Sequence, residues 1–211
     1  MARLLRFLFF LLIVRPLIYV ILGLNIRHSE RLPIKGPAII IANHNSHLDT
    51  LVLMSILPLK VLPILRPAAA AEYFLHNRLL AWFAKEIIGI VPLNRNQKAG
   101  NPLAACFEVL HSNQILILFP EGSRGEPEKM QQFKQGISVI ARKFPDVPII
   151  PVFLHGLGKS LPRGEVVLIP HFCDVFVGNT ISTGEDKQNL LKTIDHALRA
   201  LASEGNFPTW K

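Results

Sequence analysis

From Leu4 to Leu24 the chain is almost wholly apolar, interrupted by Arg6 and by the central pair Arg15 and Pro16. As one helix this run would extend roughly 31 Å, about the thickness of the hydrocarbon layer, so its length permits a crossing. Its middle argues against one. An arginine at the bilayer centre costs on the order of 3 kcal/mol, and Pro16 removes a backbone donor and clashes with the carbonyl of Leu12. Two short helices, Phe7 to Val14 and Leu17 to Leu24, avoid both problems: Pro16 sits at the start of the second, and Arg15 reaches the lipid headgroups. That is a monotopic anchor. Arginines flank the run on both sides (Arg3 and Arg6, then Arg27 and Arg31), so no charge asymmetry orients it and both ends lie on one face of the membrane. Two rivals stay open. A secretory signal fits Met1 to Val14, although no small-residue cleavage site follows before Asn25. A buried hairpin of a water-soluble core is the other, although Phe7, Phe9 and Phe10 face several directions on a helix.

Beyond this segment the chain of 211 residues has room for one substantial core, which divides it into 1–25 and a single domain over 26–211. Half of its residues are hydrophobic and 18% charged, which excludes a disordered or fibrous protein. Lysine and arginine exceed aspartate and glutamate by 23 to 15, a net +8 suited to anionic lipid, nucleic acid or phosphorylated small molecules. Cys106 and Cys173 form no metal-binding or redox motif, so a reducing, cytosolic setting and a core role are expected for both.

Ala38 to Ala42 is a short apolar run that reads as a strand buried on both faces. Further strands are expected over Val61 to Leu65, Ile90 to Leu93, Ile115 to Phe119, Val147 to Leu154, Val166 to Ile169 and Val175 to Val177. Helical stripes fall between them. Asn101-Pro102 caps one that runs through Leu103, Cys106, Phe107 and Leu110; a second runs from Phe133 to Phe144, and a third from Leu190 to Leu201. Alternating strands and helices predict an α/β fold with a largely parallel or mixed sheet flanked by helices, whose sites lie at the carboxyl ends of the strands. Leu51 to Leu65 lines an acyl pocket or belongs to the core, and the core reading is preferred.

Three polar clusters follow predicted strands. In Asn43-His44-Asn45-Ser46-His47-Leu48-Asp49, His47 and Asp49 would point about 200° apart on a helix and could not meet. If His44 lies in the turn and Ser46 caps the helix, Asp49 can fold back onto the imidazole. A His-Asp pair is the minimum machinery of general-base catalysis. The same spacing also matches a capping box, in which Asp49 only binds backbone N–H groups. Asn43 and His47 read as supporting residues. Pro120-Glu121-Gly122-Ser123-Arg124 and Lys134 form the second cluster, and Gly89 to Arg95 the third. Arg95, Arg124 and Lys134 could converge on one phosphate, although Glu121 could instead pair with Arg124.

Taken in order, Asn43-His44-x-Ser46-x-x-Asp49, Gly89 to Arg95, Phe119 to Arg124 and Val147 to Val152 resemble the four blocks of the glycerolipid acyltransferases, nearest to the bacterial 1-acylglycerol-3-phosphate acyltransferases. The resemblance spans about Gly36 to Gly178. It implies that His44 deprotonates the hydroxyl of a lysophospholipid, which attacks the thioester of acyl-CoA or acyl carrier protein, with Asp49 orienting His44 and no acyl-enzyme formed. The product would be phosphatidic acid. Arg95, Glu121, Gly122, Ser123 and Arg124 carry over as acceptor-binding positions, with Lys134 a further phosphate ligand. Ser123 stands where threonine is commonest, and Pro92 and Asn94 make the second block atypical, which weighs on the identity of the acceptor. Glycerol 3-phosphate, other lysophospholipids and aminolipids are the alternative acceptors.

The resemblance calls for no cofactor and no metal. Its partners would be membrane lipids, the lysophospholipid and the thioester donor rather than nucleic acid. The expected location is a cell membrane, with the site on the cytoplasmic side. No G-x-S-x-G elbow supports a serine hydrolase, and Gly158-Lys159-Ser160 lacks the first glycine of a P-loop. The non-enzymatic alternative is a basic peripheral protein that binds anionic lipid.

Overall fold

The computed structural model describes residues 1–73, 77–93, 101–126, 129–161, 167–182, 189–205 and 207. Seven strands form one sheet: β1 (Leu24–Arg27), β2 (Ala38–Ala42), β3 (Leu65–Ala70), β4 (Val91–Leu93), β5 (Ile115–Leu118), β6 (Ile149–His155) and β7 (Cys173–Val177), in the order β1-β7-β6-β2-β5-β3-β4. Only β6 and β7 pair antiparallel, so the sheet is mixed with a parallel centre. β2 sits in the middle because all five of its residues are buried, a strand packed on both faces. Its side chains alternate between two cores. Ala38, Ile40 and Ala42 join Val52 and Leu53 on one face; Ile39 and Ile41 join Phe107, Ile137 and Ile194 on the other.

On the second face lie α4 (Ala104–His111), α5 (Gly136–Lys143) and α7 (Leu190–Glu204), close to the periodic stripes read from the sequence. The first face is covered by α2 (Leu48–Ile56) and by the N-terminal segment, which corrects the sequence reading. One helix, α1, runs unbroken from Ala2 to Ile21: α-helical over Ala2–Phe9 and π-helical over Phe10–Val14 and Leu17–Ile21, with Arg15 and Pro16 helical between them. The Arg15 N–H already reaches back five residues to the Phe10 carbonyl. In that wider turn the missing donor and the ring of Pro16 are accommodated without a break.

The same widening sets which face is buried. Arg6, Phe10, Val14, Ile18 and Leu22 are each at most 5% exposed, yet a spacing of four drifts by about 40° per step on a regular α-helix. Turns wider than 3.6 residues hold that row on one side. Arg15 does not reach toward headgroups. Its guanidinium donates to the carbonyls of Leu57 (2.7 Å) and Ser55 (3.1 Å), capping the C-terminal end of α2. The boundary drawn between residues 25 and 26 falls inside β1, and α1 shares the core of the sheet.

Two strand expectations also move. Leu59–Ile64 is a 3-10 turn that contains Pro63, and the strand begins only at Leu65, passing through three alanines. Val167 to Ile169 has no regular structure, and Val166 lies outside the described residues. The apolar run after Leu51 is core: Val52, Leu53, Leu57, Val61, Leu62 and Leu65 are buried.

At the end of β6 the His155 ring stacks on Phe207, with centroids 3.5 Å apart and planes at 8°. Burial first, then Lys159, pushes its pKa from the ordinary 6.5 down to about 4. The unfolded chain therefore takes up this proton near 6.5 and the folded chain only near 4, so stability is lost as pH falls through that window. His155→Gln, which cannot titrate, is expected to melt with a shallower pH slope than wild type between pH 6.5 and 4. Parallel slopes in thermal melts would remove this contribution.

Candidate active site

The site forms where the chain leaves the carboxyl ends of β2 and β5, adjacent parallel strands in register from Ala38 with Ile115 to Ile41 with Leu118. After Ala42 the strand hydrogen bonding is extended by a side chain. Asn43 accepts from the Leu154 N–H (2.7 Å) and donates to the Leu154 carbonyl (2.8 Å), splinting the turn to β6. His44 therefore leaves β2 from a fixed backbone.

Asp49, fully buried in the first turn of α2, folds back onto this turn. His44 Nδ1 lies 2.9 Å from Asp49 Oδ2, and the same oxygen accepts the backbone N–H groups of Asn45 (2.6 Å) and Ser46 (2.9 Å). Asp49 thus meets the imidazole and binds backbone N–H groups at once. Three N–H groups converge on one oxygen, which must act as an acceptor; this fixes the Nδ1–H tautomer and leaves Nε2 as the basic nitrogen. Ser46 Oγ accepts from the Leu48 N–H (3.2 Å) and donates to the Leu161 carbonyl (2.9 Å).

The loop after β5 closes around His44. Phe119 stacks on the imidazole, with centroids 4.0 Å apart and planes at 18°. Glu121 is 1% exposed; its Oε1 accepts the His44 backbone N–H (2.9 Å) and its Oε2 the Gln131 N–H (3.1 Å). Burial, the largest influence, raises its pKa. Glu121 is thus a brace between two loops. The Gly125 N–H donates to the His44 carbonyl (3.1 Å), so His44 is held on both sides by its backbone.

Gly122 has φ +74°, in the left-handed region that favours glycine, and the Lys134 side chain crosses it so closely that a Cβ would lie 2.8 Å from Lys134 Cδ. The half-buried Arg124 contacts His47 Nε2 across the cleft. That contact requires neutral His47, and burial first, then Arg124 and His44, lowers the His47 pKa. Ser123 and Lys134 are exposed at the mouth. Arg95 lies outside the described residues. Sequence reasoning missed the Phe119 stack and the contact between His47 and Arg124; neither has a spacing signal, because each joins separate strands.

A histidine-aspartate pair at a strand end, beside a basic loop from the neighbouring strand, is equipped for general-base chemistry. The acyltransferase family model matches residues 23–155, more than half of the chain, and the chain belongs to that family. Among its relatives is a chloroplastic 1-acyl-sn-glycerol-3-phosphate acyltransferase of Arabidopsis thaliana, 30% identical over 73% of this chain and 42% of the relative. A 1-acyl-sn-glycerol-3-phosphate acyltransferase of Helicobacter pylori is 35% identical over 52% of this chain and 45% of the relative. The chain spans less than half the length of these two relatives. In fold it resembles the crystal structure of the 1-acyl-sn-glycerophosphate acyltransferase of Thermotoga maritima, with a TM-score of 0.74 over all of both chains at 20% identity.

Proposed function

We propose that this chain transfers a fatty acyl group from acyl-CoA or acyl carrier protein to the free hydroxyl of 1-acylglycerol 3-phosphate, forming phosphatidic acid. The observation that carries this reading is the 2.9 Å contact between His44 Nδ1 and buried Asp49 at the end of β2. His44 Nε2 takes the hydroxyl proton as the oxygen attacks the thioester carbonyl. The tetrahedral intermediate collapses with cleavage of the carbon–sulfur bond, and the departing thiolate recovers the proton from Nε2. Asp49 stabilises the imidazolium formed in between.

Arg124 and Lys134, with Ser123 and the backbone at Gly122, hold the acceptor phosphate; Arg95 joins them on the strength of the sequence resemblance. His47 orients Arg124, and Glu121 acts by positioning His44. Arg124→Ala is expected to raise the KM for lysophosphatidate about tenfold or more and the KM for the acyl donor less than about twofold. The assay is phosphatidate formation from labelled acyl-CoA. Equal rises in the two constants would give Arg124 a structural role instead.

Helix α1 places this chemistry at a lipid surface. It is 20 residues long and apolar enough to cross a membrane, but its inward row is built into the core, which favours lying within one leaflet. Its outer face exposes Leu4 (62%), Leu12 (64%), Ile13 (56%) and Val20 (79%), a patch of the kind that meets lipid. The cytoplasmic leaflet suits the thioester donors. Truncation is a poor test of this anchor, because it would open the core. Leu12→Glu with Val20→Glu is expected to lower co-sedimentation with phospholipid vesicles about tenfold or more, with an unchanged melting temperature. Undiminished sedimentation would mean that α1 does not hold the membrane.

A further inference from the structure

A cavity of about 360 Å³ lies between α1, the start of β3 and the turn that leads into β4. Four cations line it, Arg3, Arg6, Arg66 and Lys85, against one carboxylate, Glu86. None of His44, Asp49, Glu121, Gly122, Ser123, Arg124 or Lys134 lines this cavity, so it is separate from the site at His44.

Arg6 is its buried wall. Only 5% exposed, it donates through one Nη to the carbonyls of Leu65 (3.0 Å) and Ile88 (3.1 Å), while its buried Nε has no hydrogen-bond partner. The guanidinium packs so closely over Gly89, at φ +80°, that a Cβ there would lie 2.8 Å from Nη1. Burial first, then Arg66, pushes the Arg6 pKa down to about 10, and burial first, then Arg3, lowers that of Arg66. Three guanidinium groups crowding one cavity repel one another, and a buried donor without an acceptor is unfavourable. An anion in the cavity relieves the repulsion.

We infer that this cavity binds the phosphate of an anionic phospholipid, with Arg3, Arg66 and Lys85 around the headgroup and the charge of Arg6 beneath it. A lipid suits the place better than a free ion. Phe7 lines the cavity and is 40% exposed, and the rest of the outer face of α1, including Leu4, Leu8 and Leu11, continues the apolar surface along which acyl chains can lie. The inference rests on the membrane reading of α1 and not on the chemistry at His44.

The test is lipid retention by the full chain, reconstituted in nanodiscs of equal phosphatidylglycerol and phosphatidylcholine, released, and weighed by native mass spectrometry. Wild type is expected to retain phosphatidylglycerol in preference. Arg3→Gln with Lys85→Gln, both at exposed positions, should lower the retained ratio about tenfold or more, as should Arg3→Gln with Arg66→Gln. Arg3→Lys with Arg66→Lys should keep most of it. Arg124→Ala should leave retention intact; if that change abolishes it, the lipid was in the acceptor site and the inference fails. It fails equally if the folded glutamine variants retain as much phosphatidylglycerol as wild type. A third arm separates the sources: if inorganic phosphate raises the melting temperature of wild type but not of the glutamine variants while no lipid is retained, the cavity holds free phosphate and the lipid assignment is overturned.

Discussion

Replacing His44 by alanine is expected to lower kcat for phosphatidate formation by at least ~10²-fold, the range for loss of a positioned general base, while the protein still folds and sediments with vesicles. The fold survives because Asp49 keeps two of its three donors, the N–H groups of Asn45 and Ser46. What is lost is the basic nitrogen and the stacking on Phe119. The KM for lysophosphatidate should change little if, as proposed, the loop after β5 and not the imidazole holds the phosphate. A near-wild-type rate in a folded His44→Ala protein would end the proposed mechanism.

Asp49→Ala is expected to be as severe for kcat and, unlike His44→Ala, costly for stability. Its carboxylate sets the His44 tautomer and also satisfies two backbone N–H groups in a buried turn. Leaving both without an acceptor should cost about 2–5 kcal/mol, read as a lower midpoint in denaturant titration. The two effects separate in the double variant. His44→Ala with Asp49→Ala should be scarcely slower than either single change, because the pair works as a unit, yet as unstable as Asp49→Ala alone. Additive losses in rate would mean that the two residues act independently.

What could be read in advance followed from local physics. β2 was legible because a strand buried on both faces is a continuous apolar run, and α4, α5 and α7 because each has one apolar stripe. β3 was misplaced because alanines carry little strand signal, and β1, with the exposed Asn25 and Arg27 in its alternation, was not among the expected strands. Arg15 and Pro16 argued for a broken anchor because their compensation is tertiary or unusual: the carbonyls of Ser55 and Leu57 for one, a π-turn for the other. At the site, the five-residue separation of His44 and Asp49 allowed pairing or capping, and only coordinates could show one oxygen doing both. The backbone contacts of Glu121 were hidden for a related reason, since nothing in a sequence tells a buried carboxylate that binds backbone from one that faces a cleft.

The pairing of β1 with β7 bears on how such a protein is made. Leu24 lies beside Cys173, roughly 150 positions later in the chain. A ribosome adding about 5–20 residues per second needs roughly 7–30 s to produce that partner, and early in this delay the preceding greasy helix has no sheet face to rest on. Most of the sheet, β2 to β6, is made within that interval, so the greasy helix gains a surface to rest on before β1 gains its neighbour.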